Sequence, residues 1–289
     1  MYNILVTGAN GQLGSEIRDI ASGYQNYNFV FSDREELDIT NHKAVENFIE
    51  VNTITAIINC AAYTAVDKAE SEISIANEIN HLAIENFARI AKIKGIKLIH
   101  ISTDYVFDGK GFQPYLTNHP TSPVNIYGET KLKGEQALKA LNPKNSMIIR
   151  TSWVYSSFGN NFVKTMLRLG EEKEELNVIC DQIGVPTYAR DLAHFILNNA
   201  LKATNTTVAT YHYTNEGVCS WYDFAREIME LGQKDCKVIP IPTSAYPTLA
   251  KRPFYSLMDK TSLKKEFQVE ISYWKESLRD CMENLNLQN

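Results

Sequence analysis

Tyr127 and Lys131 stand four positions apart in VNIYGETKLKGEQ, residues 124–136. On a helix such a pair shares one face. A phenol beside an ammonium becomes a proton-transfer device when both face a reacting oxygen. The lysine's charge favours the phenolate and lowers a pKa that is otherwise about 10. Spacing alone also fits an ordinary surface helix, since Glu129 and Lys133 repeat it as a stabilising Glu-then-Lys pair. A hydroxyl upstream gives the pair a target. Thr103 closes the apolar run KLIHIST (97–103), with Asp104 beside it. As a strand of a parallel sheet, this run turns its carboxyl end toward the ligand crevice. There Thr103 can hydrogen-bond a substrate oxygen that Tyr127 protonates.

A second constellation supplies a reason for proton transfer. TGANGQLG spaces Gly8, Gly11 and Gly14 by three, after an apolar run and before a helical pattern, which is the setting of a dinucleotide fingerprint. Glycine permits the tight turn, and the backbone at Gly8, Asn10, Gly11, Gln12 and Leu13 would meet a pyrophosphate at a helix N-terminus. Asp33 ends the next apolar run, where a carboxylate accepts from the adenosine ribose and favours NADH. Arg34 follows it, and a guanidinium there would receive a 2′-phosphate, so NADPH stays open. Asp38 and Ile39, in LDIT, lie where the chain leans over the adenine. An Asx cap for a helix over 41–50 accounts for Asp38 equally well.

These residues need a scaffold, and the patterning provides one. Apolar runs at 3–7, 28–33, 55–62, 97–103 and 147–152 alternate with helical patterns, which predicts strands of a parallel sheet covered on both faces. Asn80, Ile84, Phe87, Ala88 and Ala91 mark one helix, stopped by Gly95. Past residue 152 the alternation loosens. YHYTNE (211–216) can return a strand to the sheet, and 220–232 is a helix capped by Ser220. Residues 239–254, with four prolines, read as a shaped loop. The expectation is an α/β, doubly wound parallel sheet (Rossmann-like) with a smaller C-terminal α/β substrate-binding domain. Residues 1–152 form the dinucleotide-binding domain, with return segments near 188–215. Residues 153–289 form the smaller nucleotide-sugar-binding domain, interleaved with the first.

The 289 residues are 44% hydrophobic and 22% charged with a formal charge of −5, the profile of a soluble globular protein without general affinity for nucleic acid or anionic membrane. Five cysteines without a CxxC argue against a disulfide framework or zinc site and fit a reducing cytosol. The chain enters a strand directly, without a leader pattern, and no apolar run reaches membrane-spanning length. Together these read as a cytoplasmic protein. His100, alternating within a strand, reads as a core histidine. Asn80 reads as a support for the backbone near the Tyr127 helix. Trp221 and Trp274 read as packing residues.

The glycine turn, the Ser/Thr-ended strand and Tyr-x-x-x-Lys together resemble the extended short-chain dehydrogenase/reductases. STDYVFDG (102–109), YGETKLKGE (127–135), RTSWVY (150–155), GNNF (159–162) and PTSAYPT…KRP (242–253) are similar, within that group, to the dTDP-4-dehydrorhamnose reductase family. The likeness runs from residue 4 to about 260. It implies NADPH- or NADH-dependent reduction of the C4 ketone of dTDP-4-dehydro-β-L-rhamnose to dTDP-β-L-rhamnose, the last step toward dTDP-L-rhamnose. Thr103 would polarise the ketone, Tyr127 would be the acid and Lys131 its partner. Gly11, Gln12 and Leu13 would hold the pyrophosphate, and Asp33 the ribose. Ala62, Tyr63 and Thr64 would line the cofactor channel, Tyr63 standing where the family often has His. Asp104 and Trp153 would contact the sugar, with Asn161 and Arg252 at the diphosphate end. The family admits a homodimer, and some members are described with a divalent cation between subunits. Glu16 suits such a cation, but Arg190 stands where a carboxylate would be needed, so no metal is expected.

Two other readings share the cofactor fold. A regulatory subunit of methionine adenosyltransferase resembles these reductases and keeps Tyr-x-x-x-Lys, but diverges where this chain reads STD, TSW and GNN. A related nucleotide-sugar epimerase or dehydratase is the other. A dehydratase needs a carboxylate pair beside the nicotinamide, and STDYVF offers Asp104 alone.

Overall fold

In the computed structural model, which describes residues 2–288, the first half of the chain alternates strand and helix. In order these are β1 (Tyr2–Thr7), α1 (Gln12–Ile20), β2 (Tyr27–Ser32), α2 (His42–Val51), β3 (Ala56–Asn59), α3 (Val66–Ala69), α4 (Ile73–Asn77), α5 (Ala83–Lys94), β4 (Lys97–Thr103), α6 (Ile126–Leu141) and β5 (Met147–Thr151). A π-helical turn over Glu78–Leu82 links α4 to α5. The second half comprises β6 (Val154–Tyr155), α7 (Phe162–Glu172), β7 (Glu175–Ile179), β8 (Ile183–Gly184), β9 (Thr187–Tyr188), α8 (Ala189–Phe195), β10 (Ala209–His212), β11 (Cys219–Ser220), α9 (Trp221–Leu231), β12 (Lys237–Ile241), α10 (Thr261–Phe267) and α11 (Trp274–Gln288).

Six strands form one sheet in the order β10-β5-β4-β3-β1-β2, every pairing parallel. Strand alternation sorts its apolar residues onto two faces. Ile4, Val6, Ile58, Ile99 and Ile149 pack beneath α1 and α8, whereas Leu5, Ile57, Leu98 and Ile148 pack beneath α2 and α5. Because both faces are covered, the strands read as continuous apolar runs. From β1 the chain moves outward to β2, then returns past β1 to β3. That reversal opens a crevice at the carboxyl ends of β1 and β3.

The sequence expectations for these strands hold with small shifts in bounds, and YHYTNE does return a strand, β10, beside β5. Gly95 ends α5 at φ +68°. One expectation needs correcting. Residues 239–241 are not loop but the end of β12, paired in parallel with β7. Pro240 is tolerated because this pair is a two-stranded ribbon, where one side of each strand needs no ladder partner.

A second, more aromatic core gathers Tyr155, Val163, Tyr188, Phe224, Ile228, Trp274 and Leu278. Trp274 is thus a packing residue, as expected. Between these contributions the chain crosses back to the sheet, since α8, Tyr213, Leu263 and Ile271 belong to the sheet core. Among the described residues no helix is long and apolar enough to cross a membrane.

Candidate active site

A cleft of about 910 Å³ follows the carboxyl ends of the sheet strands and ends beneath the second lobe. Its floor is the glycine turn. Gly8 adopts φ +63°, and a Cβ there would lie 2.7 Å from the Ala61 backbone, so only glycine fits. Gly11 precedes α1 without a side-chain cap, leaving the first N–H groups of that helix unclaimed by side chains. Asn10, Gln12 and Leu13 line the same floor. The Gln12 amide donates to Val154 O at 3.3 Å, while its Oε1 is buried without a partner. An unclaimed helix N-terminus, a cradle that excludes a side chain and an orphaned acceptor are what a dinucleotide phosphate and ribose require.

Asp33 lines the cleft and accepts from the backbone N–H groups of Asn10 (2.8 Å) and Arg34 (2.7 Å), tying β2 to the glycine turn. Arg34 lies in the wall beside it. Asp38 and Ile39 are also wall residues. The carboxylate of Asp38 accepts from the Thr40 backbone and hydroxyl, and Asn41, not Asp38, caps α2. Ala62 and Thr64 line the channel, but Tyr63 does not. The Tyr63 phenol donates to Glu72 at 2.7 Å, because its backbone is pinned by Asn80 with the side chain facing away. Asn80 also donates to Thr130 on α6, which matches its expected supporting part.

The sheet-side wall is built by β4 and α6. Asn125 caps α6 by accepting from Gly128 N at 2.8 Å. A Cβ on Gly128 would lie 2.2 Å from the Tyr105 carbonyl, so glycine lets α6 approach the turn after β4. Tyr127 is thereby brought beside Thr103, whose hydroxyl hydrogen-bonds it and donates to Asp104 at 3.0 Å. Desolvation, with Asp104 adding to it, pushes the Tyr127 phenol up to about 12. Asp104 itself is raised to about 6 by burial, against the hydroxyls of Ser256 and Thr103. Lys131 is 2% exposed. Its Nζ donates to Ile101 O at 2.6 Å and lies 3.5 Å from His100 Nε2, and burial lowers its pKa to about 8. The expected depression of Tyr127 by Lys131 is absent here. Burial dominates the phenol, and the lysine's hydrogen bonds run toward β4.

His100 is a core histidine, as expected, but also a neighbour of Lys131. A spacing match could have found this contact. Residues two apart on a strand and four apart on a helix both repeat at about 6 Å. His100 and Ser102 therefore meet Lys131 and Glu135 in step. Ser102 donates to Glu135 at 2.6 Å, and Arg150 on β5 grips the same carboxylate through Nε and Nη2.

The opposite wall belongs to the second lobe. Trp153, at φ +48°, stacks on Trp221 with ring centroids 3.7 Å apart and planes 14° apart. Both indoles line the cleft, so Trp221 is not simply a packing residue. The Ser220 capping box fixes it at the start of α9, a signal visible in sequence, although the stacking partner is not. Two other expectations need correcting. Asn161 caps α7, accepting from Lys164 N and donating to Ser156 O at 2.7 Å, and Asn160 lines the cleft in its place. Arg252 lies outside the lining, committed to Asp67 by contacts of 3.1 and 2.6 Å that tie the proline-rich loop to α3. Glu16 is buried, accepts from Ser156 at 2.6 Å and pairs with Arg190 at 3.1 Å.

The family model described as RmlD substrate binding domain matches residues 2–287. A dTDP-4-dehydrorhamnose reductase of Aggregatibacter actinomycetemcomitans is 40% identical, covering 97% of this chain and 98% of that protein. Among solved structures, a dTDP-4-dehydrorhamnose reductase from Clostridium acetobutylicum ATCC 824 is 43% identical with a TM-score of 0.92, covering 98% and 99% of the two chains. Another from Bacillus anthracis str. Ames, solved in complex with NADP, is 39% identical with the same TM-score and coverage.

Proposed function

The chain belongs to the RmlD substrate binding domain family, and from that premise we propose that it reduces the C4 ketone of dTDP-4-dehydro-β-L-rhamnose to dTDP-β-L-rhamnose. It is an NAD(P)H-dependent oxidoreductase, the reading supported by its full-length similarity to dTDP-4-dehydrorhamnose reductases, one of them solved with NADP. The cofactor supplies the hydride and, once oxidised, a cationic ring. Gly8, Asn10, Gly11, Gln12 and Leu13 would hold its pyrophosphate and Asp33 its adenosine ribose. Asp38, Ile39, Ala62 and Thr64 would form the channel.

The observation that carries the mechanism is the junction of Thr103 and Tyr127 at the carboxyl end of β4. Burial keeps the phenol protonated at neutral pH, which is the form a reduction consumes. Thr103 would hydrogen-bond the ketone oxygen and hold it in line with the Tyr127 hydroxyl. As negative charge develops on that oxygen, Tyr127 gives it a proton, and Lys131 stabilises the phenolate left behind. Trp153 and Trp221 would offer flat apolar faces to the deoxysugar and exclude water around it. Asn160, which lines the cleft beside the cap residue Asn161, would meet the rest of the nucleotide sugar.

Oxidation of NADPH or NADH in the presence of the ketosugar tests this reading. Turnover that depends on Tyr127 is expected. Undiminished turnover by Tyr127→Phe overturns the mechanism, and failure of the intact protein to consume the ketosugar overturns the substrate.

A further inference from the structure

Behind Lys131 runs a buried polar chain that the proton transfer above does not use. The Thr7 hydroxyl donates to Asn59 Oδ1 at 2.6 Å. Asn59 Nδ2 lies 3.1 Å from His100 Nδ1 and 3.4 Å from the Ala61 carbonyl oxygen. His100 Nε2 lies 3.5 Å from Lys131 Nζ. Thr7, Asn59 and His100 are at most 1% exposed, so each must be satisfied by its neighbours.

Donor and acceptor roles along this chain are constrained. A backbone carbonyl only accepts, so the NH2 of Asn59 is the end that faces Ala61, and the same NH2 meets His100 Nδ1. Nδ1 is therefore the acceptor, and the neutral ring carries its proton on Nε2. Burial and the charge of Lys131 keep that ring neutral. The Nε2–H then faces Lys131 Nζ. An ammonium has no lone pair to receive it, but an amine has one.

We propose that Asn59 and His100 are positioning residues for Lys131. Asn59 fixes the imidazole tautomer, and the imidazole presents an N–H that stabilises the lysine in its amine form. This rests on the reductase reading. After Tyr127 has given its proton to the substrate oxygen, Lys131 returns one to the phenolate. The lone pair left on Nζ accepts from His100 Nε2–H until a proton from solvent restores the ammonium. Two other titratable groups act on Nζ. Glu135 favours the ammonium but is already bound by Arg150 and Ser102, and the Cys60 thiol, pushed up to about 12, stays protonated.

In the pH dependence of kcat, His100→Phe and Asn59→Leu should each move the basic limb upward by about one unit, a tenfold gain in the proton affinity of Lys131. The double variant should move it no further, and His100→Gln, whose amide again offers an N–H, should bring it back. A purely structural part would lower kcat and the melting temperature at every pH and leave the limb in place. Nitrogen-15 shifts of His100 in the unmodified protein give a readout independent of turnover and of variant folding, with protonated Nε2 and unprotonated Nδ1 expected. A limb that stays or moves down in the folded variants, or an Nδ1–H tautomer, overturns the proposal. If the ketosugar is not consumed at all, the reductase reading fails while the tautomer still decides this one.

Discussion

Tyr127 and Lys131 sit on a 16-residue helix against the central strands, with Lys131, Thr103 and Asp104 buried. Across the cleft, Trp153 and Trp221 are only half-buried, and Arg252 rides on a proline-rich loop tied down by its ion pair with Asp67 and by hydrogen bonds at Thr243, Ala250 and Lys251. The first wall is fixed by ladders, a cap and the Glu135–Arg150 pair behind it. The second is fixed by aromatic stacking, a left-handed backbone residue and a surface contact. A group that must meet a proton within tenths of an ångström belongs on regular elements, while a surface that must shape itself to a sugar nucleotide tolerates looser attachment.

That contrast can be broken or sharpened by substitution. The largest effect should follow Tyr127→Phe, which should lower kcat about 10²–10⁴-fold while KM and melting temperature hardly change. A rise in KM with kcat preserved would place the residue on the recognition side. Glu135→Gln should be next. It leaves Arg150 buried without its counter-charge and should cost about 3–5 kcal/mol in denaturant unfolding. A cost below about 1 kcal/mol would mean that the sheet-side wall is no firmer than the other.

Asp104 offers a pH-dependent test. Its carboxyl is raised from 3.8 to about 6 in the folded protein. Its contribution to stability is thus complete below about pH 4 and is lost as pH rises through about 6. Asp104→Asn cannot ionise, so its stability relative to the unsubstituted protein should climb between pH 4 and 7 by about 1–3 kcal/mol. A flat difference would show that the site solvates the carboxylate. On the opposite wall, Trp153→Ala should raise KM for the nucleotide sugar about tenfold, the scale of one lost aromatic contact, with a far smaller change in kcat. Asp67→Asn should be mildest. It loosens a partly exposed ion pair, so stability should change by less than about 1 kcal/mol and KM only a few-fold. A loss in kcat as large as that of Tyr127→Phe would mean that the proline-rich loop also governs the chemistry.

The same contrast decided what could be read in advance. Thr103, Tyr127 and Lys131 were legible because strand ends and helix faces have fixed periods, and the glycine turn was legible because Gly8 admits no side chain. Tyr63, Asn161 and Arg252 lie off the cleft lining because each sits in irregular backbone, where contacts with Glu72, with Ser156 and Lys164, and with Asp67 hold the side chain elsewhere. Trp221 was missed because stacking joins residues 68 positions apart, 153 and 221, across separate elements. The share of Lys131 in lowering the Tyr127 pKa was not legible for another reason. Spacing places Lys131 on the right face but does not reveal that His100 and Ile101 hold its nitrogen.

The two cores exchange chain repeatedly, and this bears on how the molecule comes into being. The sheet receives its edge strand, β10, only after residue 212, when part of the other lobe has already been made. Leu263 and Ile271 complete one core, and Leu278 and Leu285 complete the other. Both cores therefore depend on residues beyond 260, far in sequence from the strands they cover. Assembly governed by such distant pairings is slow. Removing residues 261–288 should therefore loosen both cores together, whereas removing α11 alone strips Trp274, Leu278 and Leu285 from the aromatic core.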